Sequence, residues 1–312
     1  MSSPTGASEV RPQAVLDGPA AAAVFLVVTV EPGGEPAARA LLGELPALVR
    51  AVSFGQRDGE LSCVAGIGSA AWDRLFGPPR PAALHPFPEL SGPQHRAPST
   101  PGDLLFHIRA PRPDLCFALA AEIGRRLGDG AAVQDETQAF AYYDSRNLLG
   151  FVDGTENPVG SAAAHAALIG DEDPRFRGGS YALAQKYLHD VDAWEKLTVE
   201  AQERVVGRTK LTNIELGVPG SHVDVNTLTT ADGTELRVVR GAMPFGRPGH
   251  GEFGTYFIVY ARDPEVPETL LRKMFLGTAE QGPDPLLDFS RPVTGTLFFV
   301  PSADLLDELT AR

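Results

Sequence analysis

Residues 24–30 form a nearly unbroken apolar run rich in β-branched side chains, and it stops at the Gly33–Gly34 pair. That pattern predicts a buried strand. Leu41, Leu42, Leu45, Leu48, Val49 and Val52 then recur at helical spacing. Pro46 falls inside this pattern and predicts a kink or a late start, because proline lacks the N–H and clashes with the preceding turn. Residues 62–67 predict a second strand, residues 70–76 a short helix, and the Pro-rich stretch 77–101 a long surface connection. A strand follows at 104–108. Leu115, Leu119, Ile123 and Leu127 continue at four-residue spacing, with Asp114 placed to cap the helix and Gly128 to stop it. A fourth strand is expected at 139–144.

The order returns later in the chain. A strand opens at Gly254 and turns at Pro264, a helix runs to Phe275, a strand covers 297–300, and Ser302 caps a last short helix. Gly102 opens an equivalent strand–helix unit in the first half. The echo predicts a duplicated α+β unit: a loose tail at 1–19, one half at 20–145 and a second at 146–312.

Composition narrows the function classes. The 312 residues carry 40 acids against 27 bases, a net charge of −13. Such a balance disfavours non-specific nucleic-acid or anionic-membrane partners. No apolar run approaches the ~20 residues of a membrane-spanning helix. Residues 20–30 have the length of a secretory apolar segment, but Glu9 and Asp17 flank the single preceding base, Arg11. The segment therefore reads as a first strand, and the protein as cytoplasmic. Cys63 and Cys116 lie in apolar runs with neither CxxC nor CxxCH spacing. This excludes thiolate zinc, iron–sulfur and covalently attached haem sites. Buried free thiols are the ordinary reading, and a disulfide stays open.

The chemistry concentrates in a few phrases. Residues 150–158 read Gly-Phe-Val-Asp-Gly-Thr-Glu-Asn-Pro, setting Asp153 beside a glycine that tolerates positive φ and close approach. His222 lies in Pro-Gly-Ser-His-Val. Arg208 lies in Val-Gly-Arg-Thr-Lys, and Arg240 precedes Gly-Ala-Met-Pro-Phe-Gly. Asp288 ends Asp-Pro-Leu-Leu-Asp. Taken singly, each histidine reads as a satisfied core or surface residue, each arginine as an exposed base, Asp288 as a capping acid and Phe257 as strand core.

Taken together and in this order, the phrases resemble the dye-decolorising peroxidases, haem enzymes marked by GxxDG and by a distal segment written R-D-N-M-P-F-G. Compact length and the lack of a twin-arginine signal resemble their B-type branch. The resemblance implies two ferredoxin-like halves forming a dimeric α+β barrel-like arrangement with antiparallel sheets, and one haem b per chain held by the C-terminal half. It makes His222 the axial iron ligand, Asp288 the acid receiving its other N–H, and Arg208 the partner of a haem propionate. Asp153 and Arg240 become the distal catalytic pair. Gly154, Thr155, Glu156, Asn157 and Phe257 line the cofactor.

The implied reaction reduces hydrogen peroxide through a ferryl intermediate and oxidises dyes, phenols or similar one-electron donors. Trp194 and tyrosines such as Tyr142, Tyr143, Tyr181, Tyr187 and Tyr256 are candidate electron relays. In this chain Gly241 and Ala242 replace the Asp and Asn of the distal segment. That departure removes a distal hydrogen-bonding group, whose place Asn157 or a water would take. It also keeps open a second reading, a haem carrier or haem-iron handling protein with weak turnover. The family implies a homo-oligomer, from dimer to hexamer. The chain ends at Arg312, directly after the last expected helix, so loading into an encapsulin shell is not expected.

Overall fold

The computed structural model describes residues 10–56, 60–154, 157–229, 233, 235–279 and 281–311. Its first half runs β1 (Ala22–Val30), α1 (Glu35–Ser53), β2 (Ser62–Gly68), α2 (Ser69–Leu75), a small hairpin β3 (Leu90–Ser91) and β4 (Arg96–Ala97), β5 (Leu104–Ala110), α3 (Pro113–Leu127) and β6 (Ala131–Phe140). The long strands pair antiparallel in the order β6-β1-β5-β2. Numbered within the half, that is the 4-1-3-2 order of a ferredoxin-like unit.

The second half repeats it. Helix α4 (Gly160–Ala167) leads to β7 (Ser180–His189), followed by the short helices α5 (Val191–Glu195), α6 (Val199–Val206) and α7 (His222–Val225). Then come β8 (Val239–Arg240), β9 (Met243–Arg247), β10 (Glu252–Ala261), α8 (Glu265–Leu276), β11 (Ser290–Pro292), β12 (Thr296–Val300) and α9 (Ala303–Thr310). Here the order is β12-β7-β10, with β8 and β9 both on β10. The halves join where β12 meets β2, at Phe298↔Gly68 and Phe299↔Ile67.

Alternation along the strands separates two apolar layers. One face of the sheet packs under α1, α2, α3, α8 and α9. The other face curls inward, so that Phe25, Leu105, Ala184, Phe245, Tyr256, Tyr260 and Phe298 share a barrel-like interior. Lys186 of β7 reaches Asp135 of β6 at 3.2 Å, which ties opposite walls together.

Several expectations need correction. Pro46 lies inside α1, which neither starts late nor ends there. A mid-helix proline costs about 3 kcal/mol. Leu41, Leu42, Leu45 and Leu48 are all buried along that helix, and each contributes roughly 1.5–3 kcal/mol, so packing wins. Asp114 sits in the first turn of α3 while Arg112 holds the cap position. The fourth strand spans Ala131–Phe140 rather than 139–144.

The stretch 77–101 is not wholly superficial, since Leu84, Phe87 and Ala97 are buried. The N-terminal segment is docked from Val10 onward. Val15 is 1% exposed, Gln13 brackets Ala65 through N–H and C=O at 2.7 and 3.0 Å, and Arg11 pairs with Asp304. Cys63 and Cys116 are free thiols, and burial pushes the Cys116 pKa up to about 11. Among the described residues no helix is long and apolar enough to cross a membrane.

Candidate active site

Asp153 sits on a tightly turned loop between β6 and α4. Tyr143, Asp144 and Ser145 all have positive φ, at 25°, 46° and 64°. For non-glycine residues such conformations cost roughly 1–3 kcal/mol each and persist only where the surroundings enforce them. Here Asp153 N–H donates to Ser145 O at 2.8 Å. The Asn147 side chain accepts from Leu149 and Phe151 N–H, both at 3.1 Å. Phe151 is buried against Trp194, ring centroids 6.0 Å apart. The loop is therefore pinned on both sides of Asp153, whose Oδ1 accepts from Gly154 N–H at 2.8 Å. Gly154 has φ +76°. Thr155 and Glu156 lie outside the described residues.

His222 opens α7. Helix α6 stops at Gly207, φ +91°, where a Cβ would collide with the Ser221 hydroxyl. Ser221 is the cap of α7, and its carbonyl accepts from Val225 N–H at 2.9 Å. The cap aims His222 at a buried carboxylate, with Nδ1 2.6 Å from Asp284 Oδ2. Asp284 is 0% exposed. Its Oδ2 also accepts from Asn226 Nδ2 at 3.2 Å, and its Oδ1 from Leu286 N–H at 2.9 Å. Asn226, one turn beyond His222, donates to the His222 carbonyl at 2.8 Å. A carboxylate only accepts, so the neutral imidazole carries its proton on Nδ1 and presents the Nε2 lone pair. Burial pulls the His222 pKa down, but Asp284 at contact and Asp153 farther off outweigh burial and Arg240, leaving it above the ordinary value. The charges of Asp153 and Arg240 thus both act on this ring.

The acid expected against His222 was Asp288, and the structure corrects this. Asp284 caps the 3-10 turn Pro285–Asp288 from below. Positions i and i+3 eclipse in such a turn, so Asp288, four residues on, points elsewhere. It is 62% exposed, beside His95 Nε2 at 3.3 Å. If His222 holds a haem iron, Asp284→Asn is expected to shift the spectrum and raise the reduction potential of the bound haem, by making the imidazole less donating, whereas Asp288→Asn is expected to leave both unchanged. Potentiometric titration of the two variants checks this, and equal shifts would return the role to Asp288.

Arg240 is fixed through its backbone. In register with Val259 of β10, it also exchanges two hydrogen bonds with the Asn157 amide: Arg240 N–H to Oδ1 at 2.8 Å and Nδ2 to Arg240 O at 2.7 Å. Asn157 is therefore committed to positioning Arg240 and does not replace the group missing at Ala242. Register puts Arg240 on the same sheet face as Val259, Phe257 and Gln185. Phe257 meets the Tyr187 ring edge-on at 6.3 Å. Arg208 is on the loop between α6 and α7, with Glu215 and the Asn213 carbonyl each at 3.2 Å. An incoming carboxylate would compete with Glu215.

Sequence reasoning did not single out Asn226, Asp284 or Gln185. The Asp-Pro step at 284 is a capping signal, and Asn226 stands at the i+4 spacing from His222. Gln185 carries no sequence signal. It is 0% exposed, and its Nε2 is without a hydrogen-bond partner among the described residues.

Residues 12–141 match the N-terminal Dyp-type peroxidase family and residues 144–305 the C-terminal one. A dye-decolorizing peroxidase of Mycobacterium tuberculosis is 53% identical over 96% of this chain and 90% of its own length. The encapsulated DyP-type peroxidase from Mycobacterium smegmatis superposes with a TM-score of 0.94 at 51% identity, covering 96% of this chain and 98% of that one. A DypB variant from Rhodococcus jostii RHA1 in complex with heme gives a TM-score of 0.92 at 53% identity, over 95% and 97% of the two chains. With both halves of its fold and nearly its whole length matched, this chain belongs to the Dyp-type peroxidase family.

Proposed function

We propose that the chain is a haem peroxidase that reduces hydrogen peroxide and oxidises dyes, phenols or similar one-electron donors. The observation that carries the reading is the buried Asp284 holding His222 by Nδ1, at 2.6 Å, which leaves the Nε2 lone pair for a metal. The donor set fits haem b. A neutral imidazole nitrogen suits the iron, the guanidinium of Arg208 suits a propionate, and Phe257 offers an apolar wall. The buried, unpartnered Gln185 Nε2, on the same sheet face as Phe257, fits a face built to meet a further group.

When bound, haem supplies an iron that splits the peroxide O–O bond and stores two oxidising equivalents. The residues do the rest. Asp284 fixes the tautomer and makes Nε2 a stronger donor. Asp153 takes the proton from one peroxide oxygen and returns it to the other. Arg240 stabilises the negative charge growing on the departing oxygen. One peroxide and two phenols thus become two waters and two phenoxyl radicals. Trp194 is buried against Phe151, which suits it as a relay to the loop of Asp153. The family resemblance carries the proposal of a cytoplasmic homo-oligomer.

Titrating the protein with haem is expected to give a Soret band saturating at one haem per chain, a stopped-flow spectral change on mixing with peroxide, and dye turnover. Absence of the band rejects the proposal. A band with no response to peroxide would favour the carrier reading.

A further inference from the structure

A cavity of about 840 Å³ lies away from His222, Asp153 and Arg240, between the β3–β4 hairpin and β11. Small-molecule sites typically occupy about 300–1,000 Å³. Its walls are fixed by packing. The hairpin closes through Gly92 N–H on His95 O at 2.9 Å, and a Cβ on Gly92 would collide with the Phe275 carbonyl of α8. Phe275, Leu287 and Phe289 supply apolar surface. Leu287 belongs to the same 3-10 turn that Asp284 caps. Phe289 stacks edge-on against Trp194 at 5.2 Å, and Trp194 against Phe151 at 6.0 Å. One wall of the cavity thus continues into the ring cluster that pins the Asp153 loop.

Most of the charged and ring-nitrogen groups at the rim are engaged, and Gln94 adds a neutral amide. His95 faces Asp288, and Arg96 pairs with Glu89. His189 is satisfied at both nitrogens, by Thr255 and Ser290, each at 2.9 Å. Asp190 caps α5 by accepting from Ala193 N–H. Arg291, in register with Leu188 on β11, has neither hydrogen bond nor ion pair among the described residues. Arg291 is a guanidinium without an ion partner beside aromatic and aliphatic walls, and although the carboxylates of Asp190 and Asp288 line the same cavity, it suits a planar apolar body bearing a single acidic group. Guanidinium recognises carboxylate or sulfonate oxygens through paired N–H donors and also stacks on aromatic faces.

We propose that this cavity docks aromatic carboxylates or sulfonates as the one-electron donors of the peroxidase, with Arg291 as the specificity residue. The inference rests on the proposed function for the fate of the electron, but not for the binding itself. Isothermal titration of the haem-loaded protein with anthraquinone-2-sulfonate, in the absence of peroxide, tests the site alone. Wild-type protein is expected to bind one equivalent. Arg291→Glu is expected to weaken binding about 10- to 100-fold, the equivalent of losing a charged hydrogen-bonded contact. Val293→Trp, which adds bulk to the cavity lining two residues beyond Arg291, is expected to weaken it similarly. In turnover, Arg291→Glu should raise KM for ferulate, leaving KM for uncharged 2,6-dimethoxyphenol and the rate of the peroxide step unchanged. No binding by the wild type, or wild-type affinity in either variant, overturns the proposal. A missing peroxide response with intact, Arg291-dependent binding would instead overturn the peroxidase reading and leave the site standing.

Discussion

Replacing His222 with alanine is expected to abolish the ligated ferric haem spectrum and to weaken haem retention well beyond the 10- to 100-fold that loss of an outer partner of a metal ligand costs. The effect starts from Asp284. It is fully buried and accepts from His222, Asn226 and Leu286. A carboxylate in that position is stable only while its donors stay in place. Removing the imidazole thus has two effects. The iron loses its nitrogen, and the acid loses its shortest hydrogen bond, a loss for which about 3–5 kcal/mol is the upper range when a buried charge is left unpaired. Asn226 and Leu286 remain, so the measured destabilisation should fall below that range. The two effects separate with His222→Gln, whose amide nitrogen can still donate toward Asp284 but is a poor iron ligand. Its stability should recover while its spectrum does not. Titration of each variant with haem, followed at the Soret band and by thermal melting, checks both. A wild-type spectrum in His222→Ala would move the axial role to another histidine.

Arg240→Leu is expected to slow the reaction with peroxide by about 10²- to 10³-fold, the usual loss when one preorganised donor to a developing charge is removed. Asp153→Asn is expected to cost less. The difference follows from how the two groups are held. Arg240 is half-buried on a strand, and its backbone is gripped by Val259 on one side and by the two bonds of the Asn157 amide on the other. Asp153 is exposed, and one of its oxygens is already engaged by Gly154 N–H. A donor that needs no reorganisation stabilises charge more than an acid that must release a local bond first. Stopped-flow rates across a peroxide series, on variants shown to retain one haem, give the comparison. A wild-type rate in Arg240→Leu would remove it from the mechanism, and a larger loss in Asp153→Asn would reverse the assignment of roles.

The two ferredoxin-like halves were legible because their central strands and long helices bury one face continuously. The run at 24–30 and the four-residue recurrence from Leu115 to Leu127 leave no other economical reading. Strand β6 was misplaced because its middle, residues 134–138, is polar throughout. Gln134, Glu136 and Gln138 are exposed, so no apolar alternation announces the strand, and pairing with β1 creates it. The expected late start at Pro46 failed for the opposite reason, since four buried leucines overrode a local rule.

Within the site, His222, Arg240 and Asp153 were identified by their phrases and not by any periodicity. Helix α7 has four residues, too few to show a pattern, and it exists because Ser221 caps it. The exchange of Asp288 for Asp284 turns on which end of a single 3-10 turn faces inward. Two aspartates four apart in one phrase cannot reveal that. Asn157 was seen as a distal-pocket residue, yet its amide is consumed by the neighbouring strand, a contact between residues 83 apart.

The duplicated architecture has a consequence for how such a chain can diversify. His222, Asp284, Arg240, Asp153 and Arg208 all belong to the later copy, while the earlier copy shares only two paired positions with it at the β2–β12 seam. The earlier copy nonetheless reaches over the later one through the hairpin at Leu90–Ala97. Part of the taste for reductants can therefore change through that hairpin, in the half that performs no chemistry, without disturbing the residues that break the peroxide bond.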